Sequence, residues 1–177
     1  MDRLTSGATA PSRRYRADHY REVSQDLISN YDLQVVFTGN ETEVELVEEI
    51  CRNIPSDLFS LAGKLNVGEL SALIAMADLL ITNNTGPAHI AAAVQTPVVV
   101  LYALTNPQHT PWMVPQRVLY HDVPCRYCYK SICPMGHHNC LELVSPETVL
   151  HAVFELLVLN EQENSNNTLH PDKENWA

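Results

Sequence analysis

The stretch Asp78-Leu-Leu-Ile-Thr-Asn-Asn-Thr-Gly-Pro-Ala-His-Ile-Ala-Ala-Ala93 restricts the possible folds more than any other part of the chain. Its apolar run, Leu79 to Thr82, predicts a short strand buried on both faces. A polar turn follows, and the alanine-rich segment from about Pro87 predicts a helix. Thr85 stands where an N-cap would, and Pro87 suits the first helical position, where its missing N–H costs nothing. Gly86 lets the backbone come close to a ligand. The free N–H groups and the positive end of that helix would face out of the carboxyl edge of a parallel sheet, a good place to hold a phosphate. His89, one turn in, can add a donor to the same anion. The same residues also describe an ordinary strand, turn and helix with a capping Thr, and geometry alone leaves both readings open.

The rest of the chain follows the same alternation. Ala17 to Asn30 carries Tyr20, Val23, Leu27 and Ile28 at helical spacing. Leu33 to Thr38 is a continuous β-branched and aromatic run ended by Gly39, and Glu41 to Asn53 predicts a helix with Val44, Val47 and Ile50 on one face. Leu58 to Leu61 predicts a short strand, and Asn66 with Glu69 resembles a capping box opening a helix through Met76. Pro97 to Tyr102 and Arg117 to Tyr120 predict two more strands. Ser145-Pro-Glu-Thr148 predicts the start of a helix running to about Leu159. Residues 1 to 16 predict no full strand; Arg3 to Ser6 suits the worn end of a truncated first strand. From Asn160 the chain is polar, and 160–177 is expected to be disordered.

Strands alternating with helices at this spacing imply βαβ units, hence an α/β fold with a Rossmann-like, doubly wound parallel sheet over residues 1–159. Ligands bind such sheets outside the carboxyl ends of the strands. Residues 7–14, 39–43, 83–89 and 103–111 all fall there, so all four can line one crevice.

With 177 residues, 45% hydrophobic and 18% charged, the chain suits one globular domain of ordinary size. No apolar run approaches the ~20 residues needed to span a bilayer, and no apolar signal segment opens the chain, so a cytoplasmic location is expected. A net charge of −10 argues against nucleic-acid binding. Five of the eleven Lys and Arg residues fall in the first 21 positions, whereas residues 22–123 hold three against twelve acids. Basic side chains are thus concentrated as a local anion site requires.

Thr82-Asn-Asn-Thr-Gly-Pro-Ala-His-Ile-Ala-Ala-Ala93 resembles the donor-binding motif of family 9 glycosyltransferases, the lipopolysaccharide heptosyltransferases. Three further segments resemble that family in the same order: Gly7 to Tyr15, Val35 to Glu43, and the cysteine-rich Val123 to Cys140. The resemblance covers roughly residues 5 to 158. It implies the C-terminal, donor-binding half of a GT-B enzyme that moves heptose from ADP-heptose to the lipopolysaccharide core without a required metal. An N-terminal domain, which this chain lacks, would bind the acceptor and carry the general base. The implied place of action is the cytoplasm, at the inner face of the inner membrane. Alone, the chain is expected to bind nucleotide weakly and not to turn over.

By the same resemblance, Arg13 contacts the donor diphosphate and stabilises the leaving group, a role its guanidinium suits. Glu43 binds the nucleoside, as an acid at a strand's carboxyl end does for ribose hydroxyls; a helix-start Glu would look the same, and Glu41 is placed to replace it. Asn84, Thr85, Gly86, Pro87 and His89 carry over to phosphate and sugar contacts. Many members have Asp where this chain has Asn84, and an amide cannot act as a base there. Thr105, His109 and Trp112 resemble a loop near the donor sugar, although any proline-rich connector would look alike.

Cys125-x2-Cys128-x4-Cys133-x6-Cys140, with His121, His137 and His138, is dense for a cytosolic chain. Four thiolates can hold a structural zinc, but the spacing is not that of a standard zinc ribbon, and reduced cysteines packing a loop explain it equally. Cys51 reads as core. Two alternatives to the transferase stand: a nucleotide-binding or partner-docking module using the apolar face of the last helix, and a metal-stapled interaction domain.

Overall fold

The structure, a computed structural model, describes residues 2–5, 11–52, 54, 58–104 and 110–168; for 2–5 and 160–168 only the backbone course is described. Six strands form one parallel sheet: β1 Asp2–Thr5, β2 Val35–Thr38, β3 Leu58–Ser60, β4 Leu80–Asn83, β5 Val98–Leu101 and β6 Gln116–Leu119. The order is β3-β2-β1-β4-β5-β6, all neighbours parallel, which is the order of dinucleotide-binding sheets. Between them lie α1 Ala17–Tyr31, α2 Val44–Cys51, α3 Val67–Ala75 and α4 Gly86–Val94; α5 Asn139–Glu142 and α6 Pro146–Thr168 follow β6.

Strand residues divide between the two faces by parity, as the two-residue repeat of a strand requires. Val35, Phe37, Ile81, Val99 and Leu101 pack against α1, α2 and α6 through Tyr20, Leu27, Ile50, Val153 and Leu156. Leu80, Val98, Val100 and Tyr102 face the other way, onto Ile74 of α3 and Ala88 and Ala91 of α4. Each large apolar side chain so enclosed contributes about 1.5–3 kcal/mol over leaving it in water. Unbroken runs such as Val98 to Leu101 are buried throughout because both faces are covered.

Three elements differ from expectation in their bounds. The first strand, expected as a stub over Arg3 to Ser6, is β1, which pairs with β2 over Asp2 to Thr5 and with β4 over Arg3 to Thr5, at the centre of the sheet. Its polar composition conceals a central strand, whose place is set by backbone pairing on both sides. The last helix does not stop at Leu159 but continues to Thr168, so 160–168 is not disordered. No Gly or Pro interrupts that stretch, and its Glu and Gln residues propagate a helix already started. Residues 169–177 lie outside the described residues. Thirdly, the predicted helix from Glu41 opens as a 3-10 turn, Glu41–Glu43, and α2 proper ends at Cys51.

Candidate functional site

β1 and β4 are neighbours, but the chain leaves them toward opposite sides of the sheet, so a crevice opens between their carboxyl ends. The turn after β4 forms one wall. Asn84 is buried there, with its N–H donating to Leu101 O at 3.2 Å, and Gly86 opens α4. Thr85 holds the N-cap position, but its side chain makes no capping hydrogen bond; its hydroxyl instead donates to Asn83 O at 3.4 Å. That departs from the expected cap and leaves the first-turn N–H groups of α4 without a side-chain acceptor. A Cβ built on Gly86 would meet nothing within 4 Å, so this turn faces open space. Pro87 occupies the first turn as expected, and His89 is exposed.

The opposite wall is the loop after β1. Arg13 ends a short 3-10 turn, Pro11–Arg13, and Tyr15 anchors the end of the loop just before α1. The Tyr15 N–H donates to Asn83 Oδ1 at 3.0 Å, and its hydroxyl donates to Val144 O at 2.8 Å, both buried. Burial, then the nearby Glu147 carboxylate, pushes the Tyr15 phenol upward, so it stays a neutral donor. Ser12 is tied to the segment beyond β6: its N–H donates to Ser131 O at 3.1 Å and its hydroxyl to Lys130 O at 2.9 Å. Arg13 is therefore carried on a loop pinned on both sides. Arg14 is exposed. On the outer rim Arg16 pairs with Asp18 and Glu142, and the guanidinium holds the Asp18 carboxyl down at about 2.

Glu43 is buried at the floor beside β2. Its Oε2 accepts from the Asn40 N–H at 2.8 Å, closing a capping box with Asn40. A Cβ at Gly39 would come within 3.1 Å of that same oxygen, so a side chain there would make the Glu43 carboxylate give way by a few tenths of an ångström. One carboxylate oxygen thus serves the helix start, as the plainer reading of this residue has it.

Three buried polar atoms at this edge have no hydrogen-bond partner among the described residues: Arg13 Nε, Thr38 Oγ1 and Asn84 Oδ1. An unpaired buried donor or acceptor costs about 1–3 kcal/mol, so a cluster of three marks a place where a polar ligand or water belongs. Gln116 Oε1, at the start of β6, is also unpaired, so the grouping matters more than any one atom.

Of the residues singled out by sequence, the structure brings Arg13, Glu43, Asn84, Thr85, Gly86, Pro87 and His89 to this carboxyl edge. Thr105 and His109 lie outside the described residues. Trp112 does not join the group. It stands within three residues of Pro115, whose carbonyl accepts from Val98 N–H at the amino edge of β5. Sequence reasoning missed Thr38, Asn83 and Tyr15. Asn83 and Thr38 were legible as polar residues ending buried strands; the Tyr15 contact spans residues too distant for any local pattern.

Residues 4–139 match the model of glycosyltransferase family 9 (heptosyltransferase). Lipooligosaccharide heptosyltransferase 2 of Campylobacter jejuni is 30% identical over 160 residues, covering 87% of this chain and 50% of that protein. Lipopolysaccharide heptosyltransferase 2 of Escherichia coli is 30% identical over 161 residues, covering 85% of this chain and 44% of that one. The solved structure of Escherichia coli ADP-heptose lipopolysaccharide heptosyltransferase II superimposes with a TM-score of 0.77 at 29% identity, over 91% of this chain and 47% of the other. The chain spans about half the length of the curated relatives it matches. Since the family match takes in most of the chain, this chain belongs to glycosyltransferase family 9.

Proposed function

We propose that this chain is the donor-binding half of a glycosyltransferase that takes a heptose from ADP-heptose and passes it to a lipopolysaccharide core. The observation that carries the reading is the group of unpaired polar atoms on Arg13, Thr38 and Asn84 beside the open turn Asn84–Gly86. In this reading the diphosphate lies against the first-turn N–H groups of α4, with His89 at its rim. Arg13 neutralises the charge that builds on the leaving nucleotide as the sugar departs. Glu43, through the oxygen not engaged by Asn40, accepts from a ribose hydroxyl. Asn84 is a hydrogen-bond partner for a sugar hydroxyl and, being an amide, takes no proton. Thr105 and His109 would approach the sugar from the loop after β5. The general base and the acceptor's binding surface would be on a second domain, so the isolated chain binds nucleotide and does not turn over. No required cofactor is proposed for transfer, and nucleic acid is not a partner. No described helix is long and apolar enough to cross a membrane; the proposed place of action is the cytoplasmic face of the inner membrane.

A thermal-shift titration with ADP, UDP, GDP and inorganic phosphate tests this, because a ligand that binds only the folded state raises the melting temperature. The expected result is a rise with ADP that is lost in Arg13→Ala, while the unliganded melting temperature stays put. Equal small rises with all four ligands would reduce the site to a generic anion pocket. The partner-docking reading is favoured by one feature, the exposure of Val158 and Leu159 beside Phe154 on α6. Concentration-dependent self-association would support it.

A further inference from the structure

Beyond β6 the chain runs from Tyr120 to His138 without regular structure, and its four cysteines turn toward one another. Cys125, Cys128, Cys133 and Cys140, with His137 and Ser12, line one cavity of about 20 Å³, room for a single small occupant. All four are reduced and half-buried. Backbone N–H groups of Met135, Gly136, His137 and His138 converge on Cys133 Sγ, around a tight turn closed by Gly136 N–H donating to Cys133 O at 3.2 Å. Gly136 adopts φ +71°, a conformation other residues rarely take. Burial pushes the Cys140 thiol up, and the Leu104 N–H, donating to Cys140 Sγ, offsets part of that. His137 Nδ1 accepts from the Asn139 N–H at 3.0 Å, which leaves the neutral ring's proton on Nε2, 3.7 Å from Cys125 Sγ. Donors of this kind around sulfur are the outer shell that orients metal thiolates.

We propose that Cys125, Cys128, Cys133 and Cys140 bind one borderline-soft divalent cation of the zinc class as thiolates, and that this site braces the loop carrying Arg13. Four metal–sulfur bonds form and the thiol protons pass to solvent, so binding weakens as pH falls. The Cys125-x2-Cys128 pair has a spacing common in such sites. Among the described residues, no three His, Cys, Asp or Glu side chains already surround a metal-sized point, so the sulfurs draw inward as the ion enters. The bracing runs through Ser12, which lines the cavity and is bonded to Lys130 O and Ser131 O within the same loop.

Reduced chain, dialysed against a chelator under anaerobic conditions, is titrated with Co²⁺ and then Zn²⁺. The expected result is one equivalent bound, with a sulfur-to-cobalt charge-transfer band and the visible bands of tetrahedral Co²⁺, all displaced by Zn²⁺. Amide exchange at Ser12 should slow on binding. Cys133→Ser and Cys140→Ser should lose the charge-transfer band, whereas Cys51→Ser, outside the cluster, should keep it. Absence of a saturable band in the wild-type chain would overturn the site without recourse to any variant. So would persistence of the band in Cys133→Ser, or isolation of the four cysteines as two disulfides without metal. Metal uptake with unchanged Ser12 exchange would overturn the bracing. None of these readings depends on nucleotide binding.

Discussion

Asn83 and Asn84 are adjacent, identical and both buried, yet they stand on the two sides of the turn after β4 with opposite roles. Asn83 Oδ1 accepts the buried Tyr15 N–H and so joins the loop after β1 to the end of β4. Asn84 Oδ1 has no partner among the described residues and belongs to the open side. One side of the turn is a structural joint; the other carries an unpaired acceptor. A single residue type at successive positions, the last of the strand and the first of the turn, thus differs in whether its side-chain oxygen is paired.

Substitutions can break that separation. The largest effect is expected at Asn83→Ala, which leaves the buried Tyr15 N–H unpaired and should cost about 1–3 kcal/mol in denaturant unfolding. Asn84→Ala, which removes an acceptor that has no partner, should destabilise less than Asn83→Ala while weakening the ADP-dependent thermal shift. Equal destabilisation by the two variants would refute the division. Tyr15→Phe, which keeps the ring but leaves Val144 O without its donor, should cost about 0.5–1.5 kcal/mol. The smallest effect belongs to the outer rim. Asp18 has its pKa lowered from 3.8 to about 2, chiefly by the Arg16 hydrogen bond. Its contribution is therefore present above about 3.8 and lost as pH falls through about 2. Both side chains are roughly half exposed, so solvent screening limits that contribution to a few tenths of a kcal/mol. Acid unfolding curves of the parent and Asp18→Asn should converge below that window.

Much of the fold was legible in the sequence, for a physical reason. Strands such as Val98 to Leu101 are buried on both faces, so their apolar runs are continuous, and the capping box at Asn66/Glu69 is a local pattern; the one at Asn40/Glu43 is equally local but went unread. The turn at Asn84–Gly86 is equally local. The features that escaped depend on contacts between distant residues. β1 owes its place to β2 and β4 rather than to its own composition, and Tyr15 meets Asn83 and Val144 only in the folded chain. α6 outruns its apolar pattern because helix propagation needs no core beneath it once a helix has begun. The missing cap at Thr85 is the remaining case: the residue type was right for the position, but its hydroxyl donates to Asn83 O instead of accepting from a first-turn N–H.

The central position of β1 also governs the order in which the molecule can be assembled. β2 and β3 can pair locally, as can β4, β5 and β6, but the two groups are joined only through β1. Its Arg3 must meet Leu80, so β1 remains unpaired on one edge until the chain has been synthesised past β4. Closure of so long a loop is slow, and an unpaired strand edge invites association with other chains meanwhile. The seam between β1 and β4, where the crevice opens, is thus also where folding joins the two halves of the sheet.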